Sequence, residues 1–173
     1  MKTRIFSLLF VVAIAFSACD LSNDSNYTPG IFFLQNPVKN HQDTLKSFYT
    51  DVPGTFLMDT VQVGDTVLFY LYLEAYSNKL TAFYLKHSPD SVTKVILPNI
   101  NTMDSIFTEN SEYDKGKFYM NNIPSSLFFP FRYVALRRSS EAKLEFMVVS
   151  DAVFESGFGS NTNSLTLKTP IKN

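Results

Sequence analysis

The sequence predicts an all-β protein folded as a sandwich or a barrel, and two observations carry that expectation. From residue 30 onward the chain is a series of short apolar stretches broken by Gly, Pro, Asn and Asp, about nine of them at intervals of about 8–15 residues. Beyond residue 20 no segment holds a 3.6-residue apolar period, and no internal repeat is present.

The clearest strand spans residues 65–76. Val67, Phe69, Leu71 and Leu73 fall on one face, and Thr66, Leu68, Tyr70, Tyr72 and Glu74 on the other. Both faces are rather apolar, which places this strand centrally and partly covered on both sides. Leu144, Phe146 and Val148 alternate with Lys143, Glu145 and Met147, so the first three are expected to point into the core. Leu165 and Leu167 alternate with Thr166 and Lys168 in the last strand. Between the two, residues 150–163 read as a loop in which Gly157 and Gly159 supply backbone freedom. Further strands are expected near 31–34, 54–63, 80–87, 92–97, 117–120 and 131–137. Phe128-Phe129-Pro130-Phe131 is the densest apolar spot. Pro130 removes a ladder donor, so this piece belongs at an edge or in a loop, either buried or as a docking patch.

The first residues are not part of that fold. Lys2 and Arg4 make a positive start, residues 5–16 (IFSLLFVVAIAF) are almost wholly apolar, and small residues Ser17-Ala18 precede Cys19, the only cysteine. An apolar run of about a dozen residues is a signal-peptide core, because a spanning helix needs roughly 20. Cleavage before Cys19 leaves 173 − 18 = 155 residues, enough for one domain. Without Lys2 and Arg4 the charge is 13 − 16 = −3. A mildly acidic domain with scattered cations argues against nucleic acid as a partner. With Cys19 modified no thiol remains, which excludes disulfides and cysteine catalysis. Residues 20–29 (DLSNDSNYTP) are polar and turn-rich, as in a flexible tether.

Phe16-Ser17-Ala18-Cys19 resembles the lipobox of bacterial lipoproteins, with Phe16 where that pattern prefers Leu, Val or Ile. The resemblance implies a diacylglycerol on the Cys19 thiol, a cut before it and an acylated new amine. Several acyl chains on one residue hold a protein stably at a bilayer. The expected organisation is a signal peptide at 1–18, a lipidated tether at 19–29 and a single β domain at 30–173.

Three segments are similar to immunoglobulin-like envelope domains: Val61-Gln62-Val63-Gly64-Asp65-Thr66-Val67, the strand 143–149 with Ser150-Asp151 after it, and the closing Asn163-Ser164-Leu165-Thr166-Leu167-Lys168. With the lipobox they resemble small Bacteroidota-type lipoproteins. That implies an immunoglobulin-like β-sandwich of about 7–9 strands, and an envelope location with the outer membrane favoured and its face open. No functional residue carries over. An eight-stranded β-barrel or cup is the alternative fold. Five tripeptides also resemble the O-glycosylation acceptor pattern of such envelopes, with acceptors Thr44, Thr60, Thr66, Ser91 and Ser105, each after Asp and before an apolar residue. The same triplet marks many loop-to-strand junctions. Thr44 and Ser105, in the two most polar loops, are the better candidates.

Little in the chain suggests catalysis. His41 lies in a polar stretch, and His87-Ser88-Pro89-Asp90 has triad residue types, but neighbours on one turn do not converge as a triad does. No G-x-S-x-G elbow or phosphate-binding glycine loop occurs. Asp104, Glu109, Glu112 and Asp114 crowd one segment at spacings that match no calcium loop, so a solvated loop is expected and no metal or cofactor. The unusual inventory is aromatic: 17 Phe and nine Tyr without Trp. Tyr70 and Tyr72 share a strand face and Tyr84 lies on the next strand, so these three, with Phe128 and Phe129, are the candidate binding residues. The expected role is a lipid-anchored, non-enzymatic binding or assembly module at the envelope, for a protein or a glycan. Alternatives are a small-ligand β-cup and, further off, an envelope hydrolase, which a pocket joining His87 or His41 to a carboxylate would favour.

Overall fold

A computed structural model describes residues 26–121, 124–154 and 159–173, and in it two six-stranded sheets enclose a common apolar core. The first sheet comprises β1 (Gly30–Phe33), β2 (Val38–Lys39), β3 (Asp43–Thr44), β7 (Thr66–Glu74), β9 (Thr93–Ile96) and β11 (Ser126–Ala135). The second comprises β4 (Ser47–Tyr49), β5 (Thr55–Met58), β8 (Leu80–His87), β10 (Lys117–Tyr119), β12 (Lys143–Ser150) and β13 (Thr162–Lys168). β6 (Val61–Gln62) and β14 (Ile171–Lys172) form a small parallel pair of their own.

Strand order identifies the architecture. β1, β7, β11 and β9 are successive neighbours in one sheet, and β8, β12 and β13 in the other. Taken in chain order these are strands A, B, E and D facing C, F and G of an immunoglobulin-like sandwich. β5 adds to the second sheet parallel to β13, with Phe56 opposite Leu167. β10 departs from the basic plan by pairing with β8 between the fourth and fifth of those strands. The sheets do not close on each other, so the barrel alternative is set aside.

The expected registers hold. Val67, Phe69, Leu71 and Leu73 are fully buried on β7 while Leu68, Tyr70 and Tyr72 are half-buried on its other face. On β12, Leu144, Phe146 and Val148 are buried, with Phe146 opposite Leu165 and Leu85. Seven phenylalanines among the described residues are buried in the core. Phe69 stacks on Phe131 at 5.0 Å, Phe131 meets Phe146 at 6.0 Å, and Phe129 meets Phe83 at 5.4 Å and Phe118 at 5.5 Å. Such pairs contribute about 0.5–1.5 kcal/mol each beyond the area they bury.

Four features differ from expectation. Helix α1 (Ile100–Ile106) occupies part of the segment expected to be an acidic loop; Asn99 caps it by accepting from Asn101 N at 2.9 Å. Met103 and the partly buried Ile106, with Phe107 just past the helix end, turn inward, a stripe of one turn that is too short to register as a helical period. The expected strand at 54–63 is divided into β5 and β6 around Asp59-Thr60. Short β2, β3, β4 and β14 fall below the length at which alternation can be recognised. β11 begins five residues earlier than expected and takes in Pro130.

Pro130 is accommodated by pairing geometry. The Tyr70 carbonyl accepts from Leu34 N at 3.0 Å, so the Tyr70 backbone faces β1 and its pair with Pro130 needs no hydrogen bond. On the other side of β11, β9 reaches only Arg132. Pro130 therefore sits on a locally open edge of an otherwise paired strand.

Candidate functional site

The alternation that buries Phe69, Leu71 and Leu73 turns Tyr70 and Tyr72 outward. β1 and β11 flank β7 and place their own outward residues beside them. Phe32 stands opposite Tyr72, and Tyr72 opposite Phe128; Phe128 stacks on Tyr70 at 5.7 Å with planes 15° apart. Phe32 is 43% exposed, Phe128 47% and Leu34, beside Tyr70, 56%. The next row is aliphatic as well: Val38, Leu68 and Ile96, joined by Arg132. The outer face of the first sheet is thus an apolar and aromatic surface over a core that is already full.

Of the expected binding residues, Tyr70, Tyr72 and Phe128 come together on this face, and two do not. Phe129 is only 1% exposed and packs on Phe83, Phe107 and Phe118. Adjacent residues in a strand face opposite ways, so Phe128 and Phe129 cannot both be outside. Tyr84 lies on β8, in the other sheet, edge-on to Tyr119 at 6.4 Å. Burial, and after it the Tyr119 hydroxyl beside it, push its phenol above the usual pKa. The turn after β7, where Tyr76 takes φ 56°, carries the chain across the sandwich instead of into a hairpin. Tyr84 therefore belongs to the opposite side of the molecule. Phe32 and Leu34 were not foreseen, because nothing in their own strand reveals that it pairs with β7.

A concavity of ≈ 790 Å³ opens beside the end of β8, lined by Leu85, Val95 and Phe118 and by His87, Asp90 and Lys94. It does join a histidine to a carboxylate. Thr93 Oγ1 donates to the Ser88 carbonyl at 2.9 Å, so the 3.0 Å contact to His87 is a bond donated by Nδ1–H. Nε2 then faces Asp90 Oδ1 at 3.5 Å. A hydrolytic triad requires the reverse order, with the hydroxyl open to substrate and the carboxylate shielded behind the imidazole. Here Thr93 is fully buried and Asp90 almost fully exposed. Bonds from Val92 N and Thr93 N to the Pro89 carbonyl show a turn, as expected. His41 is exposed in the turn between β2 and β3.

Two of the acidic side chains of the α1 region, Asp104 and Glu112, are taken up by their neighbours. Asp104 accepts from the Tyr113 hydroxyl at 3.0 Å, and Glu112 pairs with Lys115 and, at 3.3 Å, with Lys117. Those lysines hold the Glu112 carboxyl below the usual range. Among the described residues no three His, Cys, Asp or Glu side chains are grouped to hold a metal.

Thr44, Thr60, Ser91 and Ser105 are exposed, whereas Thr66 is half-buried at the start of β7. Thr44 stands in β3 and Ser105 on α1, donating to the Thr102 carbonyl at 2.7 Å, so neither is in the loop expected for it. Beside Thr66 the buried Asp65 carboxylate accepts from Asn40 Nδ2 and Gln62 N, both at 2.8 Å. Cys19 and Gly157 lie outside the described residues. No helix among the described residues is long and apolar enough to cross a membrane.

Among solved structures, domains 4 and 5 of the S-layer protein SbsC are similar to this chain at 14% identity and a TM-score of 0.32, over 78% of this chain and 54% of that one. The chain spans about half the length of that structure, and the fold assignment rests on strand order. No protein-family model and no curated protein matches the chain.

Proposed function

We propose that this chain is a lipid-anchored, non-enzymatic binding module of the bacterial cell envelope that works through the outer face of its first sheet. The supporting observation is the cross-strand set Phe32, Tyr72 and Phe128 with Tyr70, in which the two phenylalanines are exposed and the two tyrosines half-buried on a sheet whose inner face is packed. Aromatic side chains held rigidly in this way gain free energy when a partner covers them, and lose little entropy in doing so. The lipobox-like Phe16-Ser17-Ala18-Cys19 supports anchoring, and the likeness to Bacteroidota-type lipoproteins favours the outer membrane.

Replacing Tyr70 and Tyr72 together by Ser is expected to weaken binding of the protein or glycan partner while the melting temperature stays nearly constant. A large drop in melting temperature would instead assign both rings to the packing of the fold. For the anchor, Cys19→Ser is expected to release the protein from membranes or leave it unprocessed. Intact mass of the native protein should carry added acyl mass, and a chain starting after Ala18 without that mass ends this reading. The same native material reports on O-glycosylation at Thr44, Thr60, Ser91 and Ser105, the four accessible acceptors of the pattern.

A further inference from the structure

Resting on that reading, we infer that the partner of the aromatic face is the lipid–water interface of the bilayer that carries the anchor. The rings continue from the point where the tether joins the domain. Tyr27 lies 5.4 Å from Tyr76, and the Tyr76 hydroxyl and the Phe32 ring lie over Gly30, where a side chain would displace them. Phe32 then neighbours Tyr72, Tyr72 neighbours Phe128, and Phe128 stacks on Tyr70. The strip starts at Tyr27, eight residues along the sequence from Cys19, a stretch that can span at most about 29 Å. Acyl chains on Cys19 hold the start of the strip within that distance of the membrane surface.

The surroundings favour lipid over the other partners. A sugar platform sets hydrogen-bonding side chains beside its rings to hold hydroxyl groups. Here the neighbours are mostly apolar, Leu34 and Pro130 and beyond them Val38, Leu68 and Ile96, with the charged Glu74 and Arg132 at the two ends of the face. A bilayer interface calls for this composition, with phenol tips that stay hydrated and aliphatic groups that sink among the acyl chains. Arg132 in the same row offers a cation to headgroup phosphates, and Glu74 stands at the tether end of the face beside Gly30 and Ser126. Tethering makes even weak contacts of this kind effective, since the face is held at high local concentration beside the surface.

The chain has nine Tyr and no Trp, so its emission is tyrosine emission, and Tyr27, Tyr70, Tyr72 and Tyr76 belong to the strip. The mature lipidated protein is placed in phosphatidylethanolamine–phosphatidylglycerol vesicles with brominated acyl chains, which quench rings that enter the interface. Quenching of the wild type is expected. Phe32→Ser with Phe128→Ser, which keeps every tyrosine, is expected to weaken docking by roughly tenfold and remove most of the quenching, while the protein still floats with the vesicles and melts as before. Equal quenching of the two proteins overturns the inference. So does absence of quenching in the wild type; if partner or glycan binding still depends on Tyr70 and Tyr72, the binding face stands with another occupant, and otherwise both readings fall. A concentration-dependent dimer that the same pair of substitutions abolishes assigns the face to a second copy and overturns it too. Failure of the wild type to float removes the anchor, and the inference with it.

Discussion

Phe146→Ala is expected to destabilise the protein by about 3–5 kcal/mol. Phe146 is 1% exposed at the centre of β12, edge-on to Phe33 at 5.9 Å and beside Phe131 at 6.0 Å. Its removal loses the transfer energy of the ring and leaves a cavity between two sheets whose backbones are each held by neighbours on both sides, so collapse is restricted. For a domain whose total stability is about 5–15 kcal/mol, that is about a fifth of the whole or more. Lys143 and Glu145 alternate with the buried set and form an exposed ion pair at 2.7 Å. Such a pair contributes about 0–1 kcal/mol, so Ala at either position is expected to be nearly neutral. Urea melts of the three variants separate the two faces of the strand. Similar shifts for all three would contradict this packing.

Gly116→Ala is expected to cost about 2–4 kcal/mol for two separate reasons. Gly116 ends the 3-10 turn at Tyr113–Lys115 with φ 64° and ψ 37°, the left-handed region that a side chain disfavours. A Cβ there would also overlap the Leu85 carbonyl, which is backbone and cannot swing aside. Relief requires β10 to move off β8, against the bond from Leu85 N to the Gly116 carbonyl at 2.9 Å. Gly64 separates the two effects, because it has φ 93° and, its own chain neighbours aside, no atom within 4 Å of the point where an alanine methyl would sit. Gly64→Ala therefore carries only the conformational cost, about 1–2 kcal/mol. Equal shifts in thermal melts would mean that β10 does not approach β8 this closely.

Several features of the fold were legible because they are local to one strand. Burial of Val67, Phe69, Leu71 and Leu73, and of Leu144, Phe146 and Val148, follows from alternation alone, since successive side chains in a strand must face opposite ways. The same rule already implied that Phe128 and Phe129 would part company, although which of them went inside depended on pairing with β7. Pro130 announced an edge; that the edge is local, on one side of a long strand, needed the short reach of β9. Helix α1 escaped notice because its inward stripe, Met103 and the partly buried Ile106 with Phe107 just past its end, covers a single turn.

The candidate face was half legible. By itself the sequence determined that the chain is all-β, which residues of its long strands are core, and that Tyr70 and Tyr72 share a face. Only the tertiary structure decided their company. Tyr84 left the group because the turn after β7 crosses between sheets, and Phe32 joined it because a strand some forty residues earlier pairs with β7. Alternation is a property of a single strand and is written residue by residue. Membership of a surface depends on which strands lie side by side, and that is settled by the packing of the whole core.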